Sequence, residues 1–157
     1  MVPWMMVAPR MTENLRIFEG LVRVETRLWN ELDRALIDEH GLSLAWLVAL
    51  RVVHAGPGSR VQDLADDLDI SPGGASKLVD RLVTAGLVDR ATDDSDRRVS
   101  RLRLTSQGRR VVGDGSATSE VWLSERFGAT LGPRGAEDLD SLLGALSVPG
   151  EAKGGLA

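Results

Sequence analysis

At 157 residues the chain fits one domain, or one domain with appended helices, and a hydrophobic share of 43% is enough to build a core. It contains no cysteine, which excludes a disulfide scaffold, a thiolate metal site and thiol-based redox sensing, and no apolar run approaches the roughly eighteen residues of a membrane span. The net charge of −4 argues against a polyanionic partner only on average: six arginines and no acid lie between Arg97 and Arg110, while acid gathers at Asp63, Asp66, Asp67 and Asp69.

The opening MVPWMMVAPR is apolar but short, holds two prolines and lacks a basic start. It reads as a disordered lead-in over 1–11 rather than a secretory signal, and a cytoplasmic location is expected. From Thr12, read as the N-cap, Leu15, Phe18, Val22, Trp29, Leu32 and Leu36 recur at three- and four-residue steps, broken once by Glu25. They predict an amphipathic helix to about Asp38, closed by Gly41. Its second apolar face, with Leu21 and Leu28, points to a partner beyond its own core. Ser43 caps a second helix whose buried side is Leu44, Leu47, Val48 and Leu50 to Val53. Ala55-Gly56-Pro57-Gly58 breaks it. Ser59 with Gln62 matches a capping box for a short helix carrying Val61, Leu64, Ala65 and Leu68 inward. After the turn Asp69-Ile70-Ser71, Ser71 at N-cap and Pro72 at N1 open a helix with the stripe Ala75, Leu78, Val79, Leu82, ending at Ala85-Gly86.

Past Gly86 the apolar period falls from 3.6 to 2. Leu87 to Thr92 and Val99 to Thr105 read as strands flanking the polar loop from Asp93 to Arg98. Leu102 and Leu104 alternate with Arg101 and Arg103. Thr105 then caps a helix to about Phe127, in which Gly113 and Gly115 predict a bend or fraying. Gly132-Pro133 precedes a last helix with Leu139, Leu142, Leu143 and Leu146, and the glycine-rich tail 148–157 is expected to be disordered.

Two helices joined by a three-residue turn and followed by a basic hairpin are the parts of a winged helix-turn-helix. The major groove of B-DNA admits one helix, which must be held from behind while its front meets the bases. Residues 72–85 satisfy that demand, with Gly73, Ser76, Lys77, Asp80 and Arg81 opposite the buried stripe. Backbone N–H groups at the helix start, with Ser71, Pro72, Gly73 and Gly74, suit a phosphate. A winged helix used for protein contact instead would call for a neutral or acidic wing. Catalysis would need His40 or His54 beside a serine, and neither lies in a catalytic motif; Pro72-Gly73-Gly74 opens a helix after a helical turn and is not a dinucleotide fingerprint. No enzyme, cofactor or metal site is expected.

Three stretches resemble the MarR family of bacterial regulators. The most specific is Asp96-Arg97-Arg98 followed by Leu102-Arg103-Leu104-Thr105-Ser106-Gln107-Gly108. The second runs from Leu64-Ala65 through Leu68-Asp69-Ile70-Ser71 and Ser76-Lys77-Leu78-Val79-Asp80-Arg81-Leu82 to Gly86-Leu87-Val88, and the third is Leu42-Ser43 with Trp46-Leu47-Val48-Ala49-Leu50. The resemblance spans about residues 12–147. It implies a mainly α fold with a small β-hairpin wing, in the order helix, helix, strand, helix, helix, strand, strand, helix, helix. Residues 43–105 would bind DNA, while 12–38 and 106–147 would interlock two subunits as an intertwined homodimer. It implies a transcriptional repressor on a pseudo-palindromic operator, with Arg98 in the minor groove braced by Asp96 and flanked by Arg97, as suits a guanidinium in a narrow A·T-rich groove. A small aromatic or phenolic effector is implied as well; Arg16, Trp29, His40, Trp46 and His54 are the residues expected to line its pocket.

Overall fold

The computed structural model of the protein describes residues 8–56, 58–92 and 100–147. Its elements in chain order are α1 (Ala8–His40), α2 (Leu44–Ala55), α3 (Val61–Asp67), α4 (Pro72–Thr84), β1 (Val88–Thr92), β2 (Ser100–Leu104) and α5 (Ser106–Ser147). The chain divides into two units, one ending at Ser119 and the other beginning at Glu120.

In the first unit, α1 starts at Ala8, so Thr12 lies inside the helix rather than capping it, and residues 8–11 are helical rather than part of a lead-in. Gly41 ends the helix as expected. At φ 63° it adopts the left-handed backbone that glycine alone takes without strain, and its N–H returns to the Ile37 carbonyl at 2.8 Å. The apolar stripe of α1 is only partly covered. Leu32 and Leu36 are buried, whereas Leu15, Phe18, Val22 and Trp29 remain exposed, from 40% at Trp29 to 61% at Phe18.

Ser43 caps α2, its Oγ accepting from the Trp46 N–H at 3.3 Å. A second cap comes from another helix: Asp33 Oδ1 accepts from the Leu44 N–H at 2.7 Å. The capping box of α3 sits one residue later than expected. Arg60 is the N-cap and its N–H donates to Asp63 Oδ2 at 2.7 Å, while Ser59 Oγ turns back to the Gly56 carbonyl at 2.6 Å. A carboxylate at N3 is the stronger acceptor for an N–H at the positive end of a helix, which is why Asp63 displaces Gln62 in that role.

The hairpin pairs antiparallel with Val88 opposite Leu104 and Arg90 opposite Leu102. Among the described residues the expected strand between the second and third helices is reduced to two hydrogen bonds. The Gly58 N–H donates to the Leu102 carbonyl at 3.0 Å and the Leu102 N–H to the Ser59 carbonyl at 2.8 Å. The breaker cluster around Gly56 and Gly58, the latter at φ 89°, leaves no room for a longer ladder.

Leu36, Leu47, Leu50, Val53, Leu64, Val79, Leu82, Val88 and Leu102 are fully buried and form the core of this unit. Each contributes on the order of 1.5–3 kcal/mol through apolar area removed from water. Thr105 caps α5, accepting from the Gly108 N–H at 2.9 Å. Gly113 and Gly115 produce no bend; the non-helical residue within α5 is Gly132. Gly115 is a packing residue instead, since a Cβ there would stand 3.0 Å from Leu42 Cδ2 and 3.1 Å from Leu47 Cδ1.

In the second unit, α5 continues to the break at Gly132 (φ 66°, ψ 175°) ahead of Pro133, where the sequence places it. Leu139 is half-buried, but Leu142, Leu143 and Leu146 are exposed, as is Val121.

Candidate nucleic-acid interface

α3, the turn at 68–71 and α4 form the helix-turn-helix. The turn is tight because Asp69 takes a left-handed backbone (φ 51°), a conformation aspartate tolerates better than most side chains, and the Ile70 N–H returns to the Ala65 carbonyl at 3.0 Å. Ser71 then caps α4 through its Oγ, which accepts from the Gly74 N–H at 3.1 Å, and the Ala75 N–H takes the Ser71 carbonyl at 2.9 Å. Pro72 has no N–H, so among residues 72–75 only Gly73 keeps a free backbone donor. The phosphate-binding capacity of this helix start is therefore one N–H rather than several.

The back of α4 is closed: Ala75, Val79 and Leu82 are each 0% exposed. Its front carries Lys77, Asp80 and Arg81, all exposed, while Ser76 is half-buried. Gly73 stands in open space, with nothing within 4 Å of where a Cβ would sit, so packing within the chain does not require a glycine there. At Gly74 a Cβ would lie 3.3 Å from Ser71 Oγ and press on the cap.

Lys77 and Arg81 form no ion pair among the described residues. Asp80 does: its Oδ1 accepts from Arg90 Nη2 at 2.6 Å, joining α4 to β1. The arginine run behind the hairpin is less uniform than its sequence suggests. Arg101 Nη1 donates to the Gly58 carbonyl at 3.0 Å, and Arg109 donates to the Leu104 carbonyl at 2.8 Å and to Ser106 Oγ at 3.0 Å. Both guanidinium groups thus hold the hairpin to its neighbours, Arg101 half-buried and Arg109 exposed, as Arg103 and Arg110 are. Asp96, Arg97 and Arg98 lie outside the described residues.

The five residues expected around an effector are not brought together. Arg16 and Trp29 are exposed on α1, Trp46 is half-buried on α2, and His40 Nε2 lies 2.8 Å from Thr118 Oγ1. Only His54 lines the large cleft of this unit, which has a volume of about 870 Å³. Its walls are apolar at Val48, Val52 and Val112 and cationic at Arg51 and Arg109, with Asp67 at the end of α3. Arg51 and Arg109 are functional candidates that sequence reasoning missed. They stand 58 residues apart in the chain, and nothing local to either marks them as neighbours. Among the described residues no group of three or more His, Cys, Asp or Glu could hold a metal ion, and no helix is long and apolar enough to cross a membrane.

A helix closed behind and cationic in front, preceded by a tight turn and followed by a two-stranded hairpin, is a winged helix-turn-helix. Residues 40–99 match the model of the MarR family. The chain is 25% identical to the repressor CouR bound to a 23-mer DNA duplex, with a TM-score of 0.75 over 81% of this chain and 89% of that one. CouR from Rhodococcus jostii RHA1 bound to p-coumaroyl-CoA gives 25% identity and a TM-score of 0.72, over 85% and 92%. A mutant of E. coli MarR complexed with operator DNA gives 20% identity and a TM-score of 0.78, over 87% and 96%. In sequence, the uncharacterised HTH-type transcriptional regulator YsmB of Bacillus subtilis is 21% identical over 115 residues, covering 73% of this chain and 79% of that protein. Residues 40–99 thus carry the MarR-family match, and the chain shares the winged helix-turn-helix fold of these regulators.

Proposed function

We propose that the protein is a homodimeric transcriptional repressor that binds a pseudo-palindromic operator in double-stranded DNA and responds to a small-molecule effector. The observation that carries this reading is α4 itself. Its buried back fixes it rigidly, and Lys77 and Arg81 stand on its front clear of any ion pair among the described residues. A helix so held enters the major groove, with Lys77 reaching base edges and Arg81, one turn along, a phosphate. Ser71, Pro72, Gly73 and Gly74 let the backbone approach the sugar-phosphate chain, and Ser76 adds a short polar contact at the groove edge. In the wing, Arg98 enters the adjoining minor groove with Asp96 and Arg97 beside it.

A second copy accounts for the apolar residues left uncovered on α1, and separately for those at the C-terminal end of α5. The effector site we assign is the cleft at His54. A carboxylate would sit on Arg51 or Arg109 and a flat apolar body against Val48, Val52 and Val112, in a volume typical of small-molecule sites. One structural neighbour supports a carboxylated aromatic ligand, BpsR of Bordetella bronchiseptica, whose DNA binding is regulated by 6-hydroxynicotinic acid, and CouR bound to p-coumaroyl-CoA supports an aromatic one. The reading involves no catalysis and locates the protein with the chromosome in the cytoplasm.

The test is selection of duplexes from a random-sequence pool, followed by footprinting on the DNA upstream of the protein's own coding region. Recovery of a two-fold symmetric site supports the reading. Wild-type affinity in a Lys77→Ala/Arg81→Ala double variant would reject α4 as the recognition helix.

A further inference from the structure

Asp80 is the one acid in α4. It stands three residues after Lys77 and beside Arg81, on the exposed side of the helix, and its own side chain is 63% exposed. An unpaired carboxylate there would repel phosphates, and it would lie within the i, i+3 reach of Lys77 that neighbouring charges on a helix surface use to pair. Lys77 is nevertheless unpaired among the described residues, because Asp80 is held by Arg90 at 2.6 Å.

The position of Arg90 is unusual for an arginine. It shares a strand face with Val88, which is 1% exposed, and pairs across the hairpin with Leu102, which is 0% exposed. An arginine two residues along from a buried valine needs a partner, and its stem is covered enough that the side chain is only 36% exposed. An exposed ion pair of this kind adds little to folding stability. Its consequence falls on the charges around it.

We propose that Arg90 is a positioning residue for DNA binding, which occupies the Asp80 carboxylate and so keeps Lys77 and Arg81 free for the duplex. Arg90 acts through Asp80 and does not itself hold a phosphate. The assignment rests on the DNA-binding reading above and adds to it a residue on the face of β1 that carries Val88.

The test uses the full-length protein and a duplex selected by the wild type from a random pool. Arg90→Ala should weaken binding about tenfold, since it releases a carboxylate into the binding face. Arg90→Ala/Asp80→Asn should return to within about threefold of wild type, because the charge being masked is gone. The dependence of log K on log salt should match wild type in that double variant. Thermal melting of both variants should stay close to wild type, showing that they fold. An Arg90→Ala protein that binds as tightly as wild type would overturn the proposal, as would a double variant as weak as the single one. A slope reduced by about 0.9 in the double variant would mean that Arg90 contacts a phosphate directly, which also overturns it. If the wild type selects no duplex, the regulator reading fails and this one with it; if the wild type binds and the variants match it, only the role of Arg90 is lost.

Discussion

One substitution, glycine to alanine, should have three different outcomes along the first three turns of α5, and the spread follows from what each new Cβ meets. In a helix interior alanine is favoured over glycine by about 1 kcal/mol, through backbone entropy alone. At Gly113 the Cβ has nothing within 4 Å, so that gain is unopposed and Gly113→Ala should stabilise the protein by about 1 kcal/mol. At Gly115 the Cβ meets Leu42 Cδ2 at 3.0 Å and Leu47 Cδ1 at 3.1 Å, the far ends of side chains that can shift by a few tenths of an ångström. Overpacking at the low end of its usual range, about 1 kcal/mol, then offsets the propensity gain, and Gly115→Ala should be close to neutral. At Gly108 the Cβ would stand 3.0 Å from the Leu87 carbonyl carbon and closer still to its oxygen. That carbonyl cannot rotate aside, because it accepts from the Thr105 N–H at 3.1 Å. Gly108→Ala should therefore cost about 3 kcal/mol or more. Urea unfolding at a fixed protein concentration reads all three, with a shift of about 3 °C in Tm per kcal/mol as a cross-check. A Gly108→Ala protein within about 0.5 kcal/mol of wild type, or a destabilised Gly113→Ala protein, would refute the reasoning.

Further outcomes follow from the caps and the core. Ser71→Ala removes the acceptor for the Gly74 N–H and should cost about 1 kcal/mol in urea unfolding, with faster amide exchange confined to the start of α4. Asp33→Ala should cost about 1–2 kcal/mol although Asp33 lies in a different helix from the N–H it caps; an unchanged urea midpoint would show that the contact adds nothing. Leu82→Ala opens a cavity behind α4 and should lose about 2–5 kcal/mol of stability by the same measurement. Arg98→Ala should weaken operator binding in a gel-shift titration, more for sites with an A·T-rich flank than for sites without one.

Much of the helix-turn-helix is legible in the sequence because the interactions that build it are local. The Ser43 and Ser71 caps, the stripe Ala75, Leu78, Val79, Leu82 (Leu78 only half-buried) and the break at Gly132-Pro133 all follow from spacings of one to four residues, where side-chain chemistry and helical period suffice. The same local logic misplaced the capping box of α3. Ser59 with Gln62 and Arg60 with Asp63 have identical spacing, and the chain adopted the one whose acceptor is a carboxylate.

What only the tertiary structure decided is which of several identical side chains does what. Six arginines between Arg97 and Arg110 read as one basic run. Folding assigns Arg101 to the Gly58 carbonyl and Arg109 to the base of the hairpin, and places Arg103 and Arg110 on the surface. Asp80 looks like a charge opposed to DNA until Arg90 is seen beside it, and Arg51 becomes a neighbour of Arg109 only across the cleft. A hydrogen bond between residues far apart in the chain depends on where the backbone delivers the two groups. Backbone delivery is set by the packed core as a whole, which no local window of sequence contains.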